Sequence, residues 1–334
     1  MLPFPRTSIS QLSTGSVLAV ALSILFVSRR LWRRSPRTKK ISRKGERVVI
    51  LGASSGIGRA LAHQYARRGA RVCVTARRED ELKRVVSECE ELEVNTGAVS
   101  QGASVCSVVA DFTNVDEMVH LRDVLQHEWN GVDTLIVCAG VSALRPLMEV
   151  AGLEREGRSF TPPQASAEGI KHTVDIANRA IAVNYFGPLV SAVTLLPLLQ
   201  NSSASPSILL ISSLAALVPA PTRSLYCSTK AASLLLYQSL SIEHPAVTFT
   251  FAIPATVHGD FRASAVDGGP VREVDPNTHG VKPEDVARRC VGAVDAGEKF
   301  VFIPYVYSRL GHLLYWLFPG FVERQAGKKY NFKV

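Results

Sequence analysis

Between residues 46 and 305 the chain alternates short, β-rich apolar runs with longer stretches whose apolar residues recur at helical spacing. Arg47–Leu51, Arg71–Thr75, Val105–Ala110, Thr134–Val137, Ser207–Ile211, Thr248–Ile253 and Phe300–Ile303 read as strands. Arg59–Arg68, Glu79–Cys89, Val115–Glu128, Val174–Leu199 and Ala231–Glu243 read as amphipathic helices between them. Parallel strands need crossover connections, and a sheet covered on both faces carries nearly continuous apolar runs. The pattern therefore predicts an α/β fold, a single doubly wound parallel sheet of about seven strands with helices on both faces.

Two segments break the alternation. Ala151–Thr173 is polar and holds a Pro-Pro pair, so it reads as an insertion between a strand and a long helix. Residues 306–334 form an aromatic, apolar C-terminal segment containing Leu313-Leu-Tyr-Trp-Leu-Phe318. Such a run either lies in a bilayer interface, where Trp and Tyr are favoured, or packs on the core or a second subunit. A homodimer is left open on the same ground.

Charge separates the first 45 residues from the rest. They hold ten Lys and Arg and no Asp or Glu, whereas the chain as a whole carries a formal charge of +9. The folded body is close to neutral, which argues against a nucleic-acid partner. Thr7 to Ser28 is uncharged, Gly15–Val27 is its apolar heart, and the basic cluster follows directly. Residues 1–45 are therefore expected to be a membrane anchor and basic linker, with the body on the cytoplasmic side, by the excess of positive charge after the apolar run. Endoplasmic reticulum is the expected membrane; a mitochondrial presequence and a solvated basic tail are the alternatives. The six cysteines form no CxxC pair or regular framework and read as free thiols of a reducing compartment. No histidine or cysteine spacing suggests a metal, and none is expected.

The first strand runs into Gly52-Ala-Ser-Ser-Gly56-Ile-Gly58 and then a helix. Glycines permit a tight turn and close backbone approach to a pyrophosphate, and the helix N-terminus supplies free N–H groups and positive potential. The second strand ends in Val74-Thr-Ala-Arg77-Arg78. A carboxylate here would select the ribose 2′-hydroxyl of NAD; Ala76 followed by Arg77 and Arg78 favours the 2′-phosphate of NADP(H).

The Gly-x-x-x-Gly-x-Gly spacing resembles the short-chain dehydrogenase/reductase family, a Rossmann-type fold, and further motifs agree in order: Asp111-Phe112, Cys138-Ala139-Gly140, Asn184-Tyr-Phe-Gly187, Ser212-Ser213, Tyr226-Cys-Ser-Thr-Lys230 and Pro254-Ala-Thr-Val257. The resemblance covers residues 46–305 and implies a domain of that extent. It implies dinucleotide contacts from Gly52, Ser54, Ser55, Gly56, Ile57 and Gly58. It also implies an adenine contact from Asp111 beside Phe112, and contacts near the nicotinamide from Cys138, Ala139, Gly140, Tyr226, Lys230, Pro254 and Val257. Ser213, Tyr226, Lys230 and Asn184 are then the catalytic set, Asn184 holding a water that links Lys230 to solvent. Leu51 replaces a Thr of the family pattern, Cys138 an Asn, and Ala255 a Gly, while Gly259 stands where a Thr often contacts the nicotinamide amide. The Leu51 and Cys138 replacements are expected to weaken hydrogen bonds that hold the glycine loop and central strands.

The chemistry needs these residue types. Hydride transfer to a carbonyl leaves an alkoxide that must take a proton, and a phenol near pKa 10 serves at neutral pH only beside a positive charge. Positions i and i+4 share a helix face, which brings Lys230 to Tyr226. Ser213 would donate to the substrate oxygen as charge develops. The anchor and the aromatic C-terminus make the chain similar to microsomal members of the family, of the 11β-hydroxysteroid dehydrogenase-like and 3-ketosphinganine reductase-like kinds. The expected function is NADP(H)-dependent interconversion of a carbonyl and an alcohol on a lipophilic, lipid- or steroid-like substrate at a membrane. A reductase of small soluble or xenobiotic carbonyls, and a non-enzymatic NADP(H)-binding scaffold or sensor, are the alternatives.

Overall fold

The computed structural model describes Ser23, residues 37–97 and residues 104–332. The expected N-terminal anchor lies, but for Ser23, outside the described residues. The remainder, from Arg37 onward, forms one compact unit.

Seven parallel strands build the central sheet: β1 (Arg47–Leu51), β2 (Arg71–Ala76), β3 (Val105–Val109), β4 (Thr134–Val137), β7 (Ser207–Ile211), β8 (Thr248–Pro254) and β9 (Phe300–Ile303), in the order β3-β2-β1-β4-β7-β8-β9. This is the doubly wound, Rossmann-like sheet expected from the alternation. Side chains leave a strand alternately to its two faces. In β1, Val48 and Ile50 join one hydrophobic cluster and Val49 and Leu51 the other. The first cluster is closed by α1 (Gly56–Ala66), α2 (Glu79–Thr96) and α7 (Pro283–Ala296), through residues such as Leu61, Val85 and Val286. The second is closed by α3 (Val115–Trp129), α5 (Gly187–Ser202) and α6 (Ser224–Glu243), through Leu121, Leu195 and Tyr237. Strand order reverses between β1 and β4, so the crevice beyond their C-terminal ends is where a ligand is accommodated.

The insertion is more ordered than a loop. Glu154–Glu156 (β5) and Ser159–Thr161 (β6) form an antiparallel hairpin, after which the Ser166 side chain accepts from Gly169 N and caps α4 (Ala167–Ile181). The Ser166 cap starts this helix seven residues earlier than apolar periodicity alone suggests. Between α4 and α5 the backbone passes through a π-helical turn, Ala182–Phe186, which carries Asn184. The run Ala167–Ser202 is, among the described residues, the one helix long and apolar enough to cross a membrane by length and composition. It packs as a core helix, with Ala192, Leu195, Leu196 and Leu199 in the second cluster.

A buried ionic cluster closes the opposite end of the sheet from the crevice. Glu46, just before β1, pairs with both Arg37 and Arg68 and accepts from Thr134 Oγ1 at 2.7 Å. Arg37 also donates to the carbonyls of Asp133 and Ser205, each at 2.8 Å. After β9 the chain forms α8 (Tyr305–Leu317) and α9 (Pro319–Lys329).

Candidate active site

At the cofactor end, two glycines are demanded by space and a third by its backbone angle. Gly52 has φ +90°, and a Cβ there would stand 2.6 Å from Ala139 N; at Gly58 it would stand 2.1 Å from Gly52 O. The β1–α1 turn is therefore drawn tight against the end of β4 and against α1 itself. Gly56, with φ +55°, meets nothing within 4 Å and faces open space. Its neighbour Ser55 is the N-cap of α1 but makes no side-chain capping bond. The start of α1 is thus uncapped by Ser55, with the Gly58 N–H directed at Cys138 Sγ, and the loop fits a dinucleotide diphosphate.

The two arginines after β2 part company. Arg78 crosses the glycine loop, Nη2 donating to Ser54 Oγ at 2.9 Å and Ser55 Oγ at 3.1 Å. Arg77 is mostly exposed and stands 3.5 Å from Asp111. Asp111 is tied to Thr113 through both N and Oγ1; burial raises its pKa, but these bonds and Arg77 outweigh that and hold it below the usual carboxylate range. One guanidinium and two hydroxyls converge beside the loop, a donor set suited to a phosphate monoester.

The central strands are held despite the departures from the family pattern. Cys138 N and Ala139 N both donate to Leu51 O at 3.0 Å, main-chain bonds that do not depend on the side chain at either position. The Cys138 thiol, half-buried, is pushed up to about 12 by loss of solvent and stays protonated.

Of the catalytic candidates, Ser213, Tyr226 and Lys230 line a cavity of ≈ 2110 Å³ that also takes in the glycine loop, and Asn184 is buried behind it. Ser213 ends the segment after β7, its Oγ accepting from Ala215 N at 3.2 Å. Tyr226 and Lys230 lie one turn apart near the start of α6, both buried. This helix starts seven residues earlier than Ala231, where the apolar pattern places it, because its first two turns bury polar groups for the site and not for the core. Lys230 Nζ donates to Ile211 O at 3.2 Å. A Cβ on Gly140 would come within 3.1 Å of both Lys230 Nζ and Asn184 Oδ1, so the end of β4, α6 and the π-helical turn meet at this point. Asn184 is buried and committed: Oδ1 accepts from Val141 N at 2.9 Å, and Nδ2 donates to Val141 O and Thr229 Oγ1, each at 3.0 Å. Both amide hydrogens are spent on protein. The side chain clamps β4 to the catalytic helix, and any water held here bonds elsewhere on this residue.

Several residues at the substrate end were not singled out by sequence reasoning. Arg223, one turn before Tyr226, lays its guanidinium over the tyrosine ring, 4.3 Å from the centroid, and Nη2 donates to Ser142 Oγ at 2.8 Å. Phe261 meets the same ring edge-on at 5.9 Å. Glu273, buried, binds Arg262 at 2.7 Å and Lys329 at 3.2 Å and accepts from Thr256 Oγ1, while Lys329 donates to Thr256 Oγ1 at 2.9 Å. Burial raises the Glu273 pKa, but these partners outweigh it and hold the carboxyl below its ordinary range. Lys329 comes from α9, so the C-terminal segment is tied to the loop after β8 and forms part of the cavity wall, with Leu310, Leu314 and Phe321. Only the i−3 spacing of Arg223 from Tyr226 carries a local signal; Lys329 lies 73 residues from Thr256.

A profile of the short chain dehydrogenase family matches residues 46–268. The chain belongs to this family. As a short-chain dehydrogenase it is an oxidoreductase of CH–OH and C=O groups that works with a nicotinamide cofactor. It is 27% identical over 309 residues to 11-beta-hydroxysteroid dehydrogenase A of Sesamum indicum, covering 85% of this chain and 80% of that protein. It is also 27% identical over 318 residues to hydroxysteroid 11-beta-dehydrogenase 1-like protein B of Xenopus laevis, covering 94% and 96%. Among solved structures, an alcohol dehydrogenase from Thermococcus sibiricus complexed with 5-hydroxy-NADP shares the short-chain dehydrogenase fold with TM-score 0.59 at 23% identity, covering 78% of this chain and 95% of that one.

Proposed function

We propose that this short-chain dehydrogenase uses NADP(H) to interconvert a carbonyl and an alcohol on a lipophilic substrate drawn from a membrane. When bound, the cofactor supplies or accepts the hydride. The observation that carries the reading is the shared wall of Ser213, Tyr226 and Lys230 in a cavity continuous with the glycine loop. Ser213 and Tyr226 hold the substrate oxygen; Tyr226 gives it a proton in reduction and takes it back in oxidation. Buried Lys230 stands one turn along the same helix and lines the same cavity. Asn184 keeps the end of β4 and the catalytic helix in register.

The preference for NADP(H) rests on Arg78 with Ser54 and Ser55, with Arg77 and Asp111 at the rim. The lipophilic substrate rests on the apolar C-terminal wall. Leu313, Trp316, Leu317 and Phe318 are exposed beside Leu310, Leu314 and Phe321, which line the cavity, a face suited to a bilayer interface. The relatives' names point the same way. The Ala167–Ser202 helix is committed to the core, so the anchor in this reading is the N-terminal apolar run, with the body facing the cytoplasm.

Oxidation of NADPH and NADH is measured against steroid, retinoid, 3-ketosphinganine and 3-ketoacyl substrates. The expected result is turnover of at least one lipophilic ketone, with NADPH preferred by tenfold or more in kcat/KM. A preference for NADH refutes the cofactor assignment, and cofactor binding without oxidation across the panel refutes the enzyme.

A further inference from the structure

Arg223 is a buried guanidinium on the wall of the active-site cavity, 6% exposed. Its Nη2 is taken by Ser142 Oγ, a neutral partner, and its Nε is buried with no hydrogen bond. Among the described residues no carboxylate pairs with it. The nearby acid, Glu273, is already held by Arg262, Lys329 and Thr256. The wall around the substrate end thus carries the cations Arg223, Arg262, Lys329 and Lys230 against the single buried carboxylate Glu273. A buried cation without a counter-ion is costly, and an arginine on a cavity wall keeps N–H groups and a positive charge that a carboxylate matches. The cofactor phosphates do not meet this need, since their cradle is the glycine loop with Arg78, at the β1–α1 and β2–α2 turns.

We propose that Arg223 is a specificity-determining residue that binds a carboxylate on the substrate, so that the substrate class is a lipophilic keto acid (or the matching hydroxy acid). The guanidinium lies 4.3 Å from the Tyr226 ring centre, which sets the carboxylate within a few bonds of the reacting carbon. The apolar remainder of the molecule runs toward the wall formed by Leu310, Leu314 and Phe321. This assignment rests on the dehydrogenase reading of the same site.

The test uses the full chain in detergent with NADPH. Medium-chain keto acids, with the ketone adjacent to or a few carbons from the carboxylate, are each compared with their methyl ester. The acid is expected to exceed its ester by about tenfold or more in kcat/KM, the scale of a charge-assisted pair in a desolvated site. In Arg223→Met that ratio collapses toward one, and in Arg223→Lys it is intermediate. A wild-type chain that reduces esters and neutral ketones with no preference for acids overturns the Arg223 assignment and leaves the dehydrogenase reading standing. A ratio unchanged in Arg223→Met, with acid and ester falling together, also overturns it and makes Arg223 a support for Tyr226. Because the acid-to-ester comparison is made first on the wild-type chain, a variant that fails to fold does not shield the proposal. Absence of both NADPH and NADH oxidation with every carbonyl overturns the dehydrogenase reading, and the assignment with it.

Discussion

At the scale of single residues, the site is a set of buried polar groups each placed by a different element. Tyr226 has cations on two sides: Lys230 one turn along its own helix, and Arg223 over its ring. Loss of the phenol hydroxyl in Tyr226→Phe removes the proposed proton donor while keeping the ring against Arg223 and Phe261. General acid–base groups contribute about 10²–10⁴-fold, so turnover should fall by about three orders of magnitude. Affinity for NADPH, read by fluorescence titration, should change by less than about threefold. Near-normal turnover in this variant would remove Tyr226 from the mechanism. The glycine loop answers to the same kind of reasoning. Gly58→Ala drives a Cβ into the Gly52 carbonyl, a main-chain neighbour that cannot rotate away. Melting temperature and cofactor affinity should therefore fall together, and retention of both would show that the turn has more room than this packing allows.

At the scale of elements, how much was legible in the sequence depended on what each element buries. Strands that bury apolar side chains on both faces announced themselves: β1, β4, β7 and β9 run between the residues expected. The start of α6 did not, because its first turns bury polar groups, Tyr226 and Lys230 at the cavity and Thr229 against Asn184, and show no apolar stripe. The π-helical turn at Asn184 has no periodic signature at all; only the motif marks it. The link between α9 and the loop after β8 was invisible because Lys329, Glu273, Arg262 and Thr256 are scattered along the chain. That link has a pH signature. Glu273 has a lowered pKa in the folded protein, so the stability it contributes is fully present above the unfolded carboxylate value, near pH 5 and higher. It is lost as pH falls through the depressed value. Glu273→Gln should therefore lower the melting temperature at pH 7, and the gap to the natural chain should narrow as pH drops to about 3–4. A gap of constant size across that range would show that the carboxylate's charge is not what holds the C-terminal helix.

At the scale of the molecule, the folded body begins earlier than the family motifs indicate. The family match starts at residue 46, and sequence reasoning set the domain there, yet Arg37 is buried at the base of the sheet. It binds Glu46 and the carbonyls that precede β4 and β7, so a residue from the basic linker helps to fix the spacing of three parallel strands. The nine other Lys and Arg of residues 1–45 hid it: nothing in composition distinguishes Arg37 from the cations beside it in sequence. Glu46, with its side chain about 1% exposed, needs both arginines to offset the cost of burying its charge. A chain shortened to begin at residue 45 keeps the whole family motif set but leaves Glu46 with Arg68 alone. Breaking a buried pair by removing one partner costs about 3–5 kcal/mol, which for a domain of this size is roughly 5–8 °C in melting temperature. A chain beginning at residue 34 should escape that loss, and Arg37→Met in the longer chain should reproduce it. Differential scanning calorimetry of the three proteins separates the possibilities. Melting of the two truncated chains within a degree of each other would show that Arg37 is dispensable, and that the sheet is closed at its base by Arg68 and Arg47 without it.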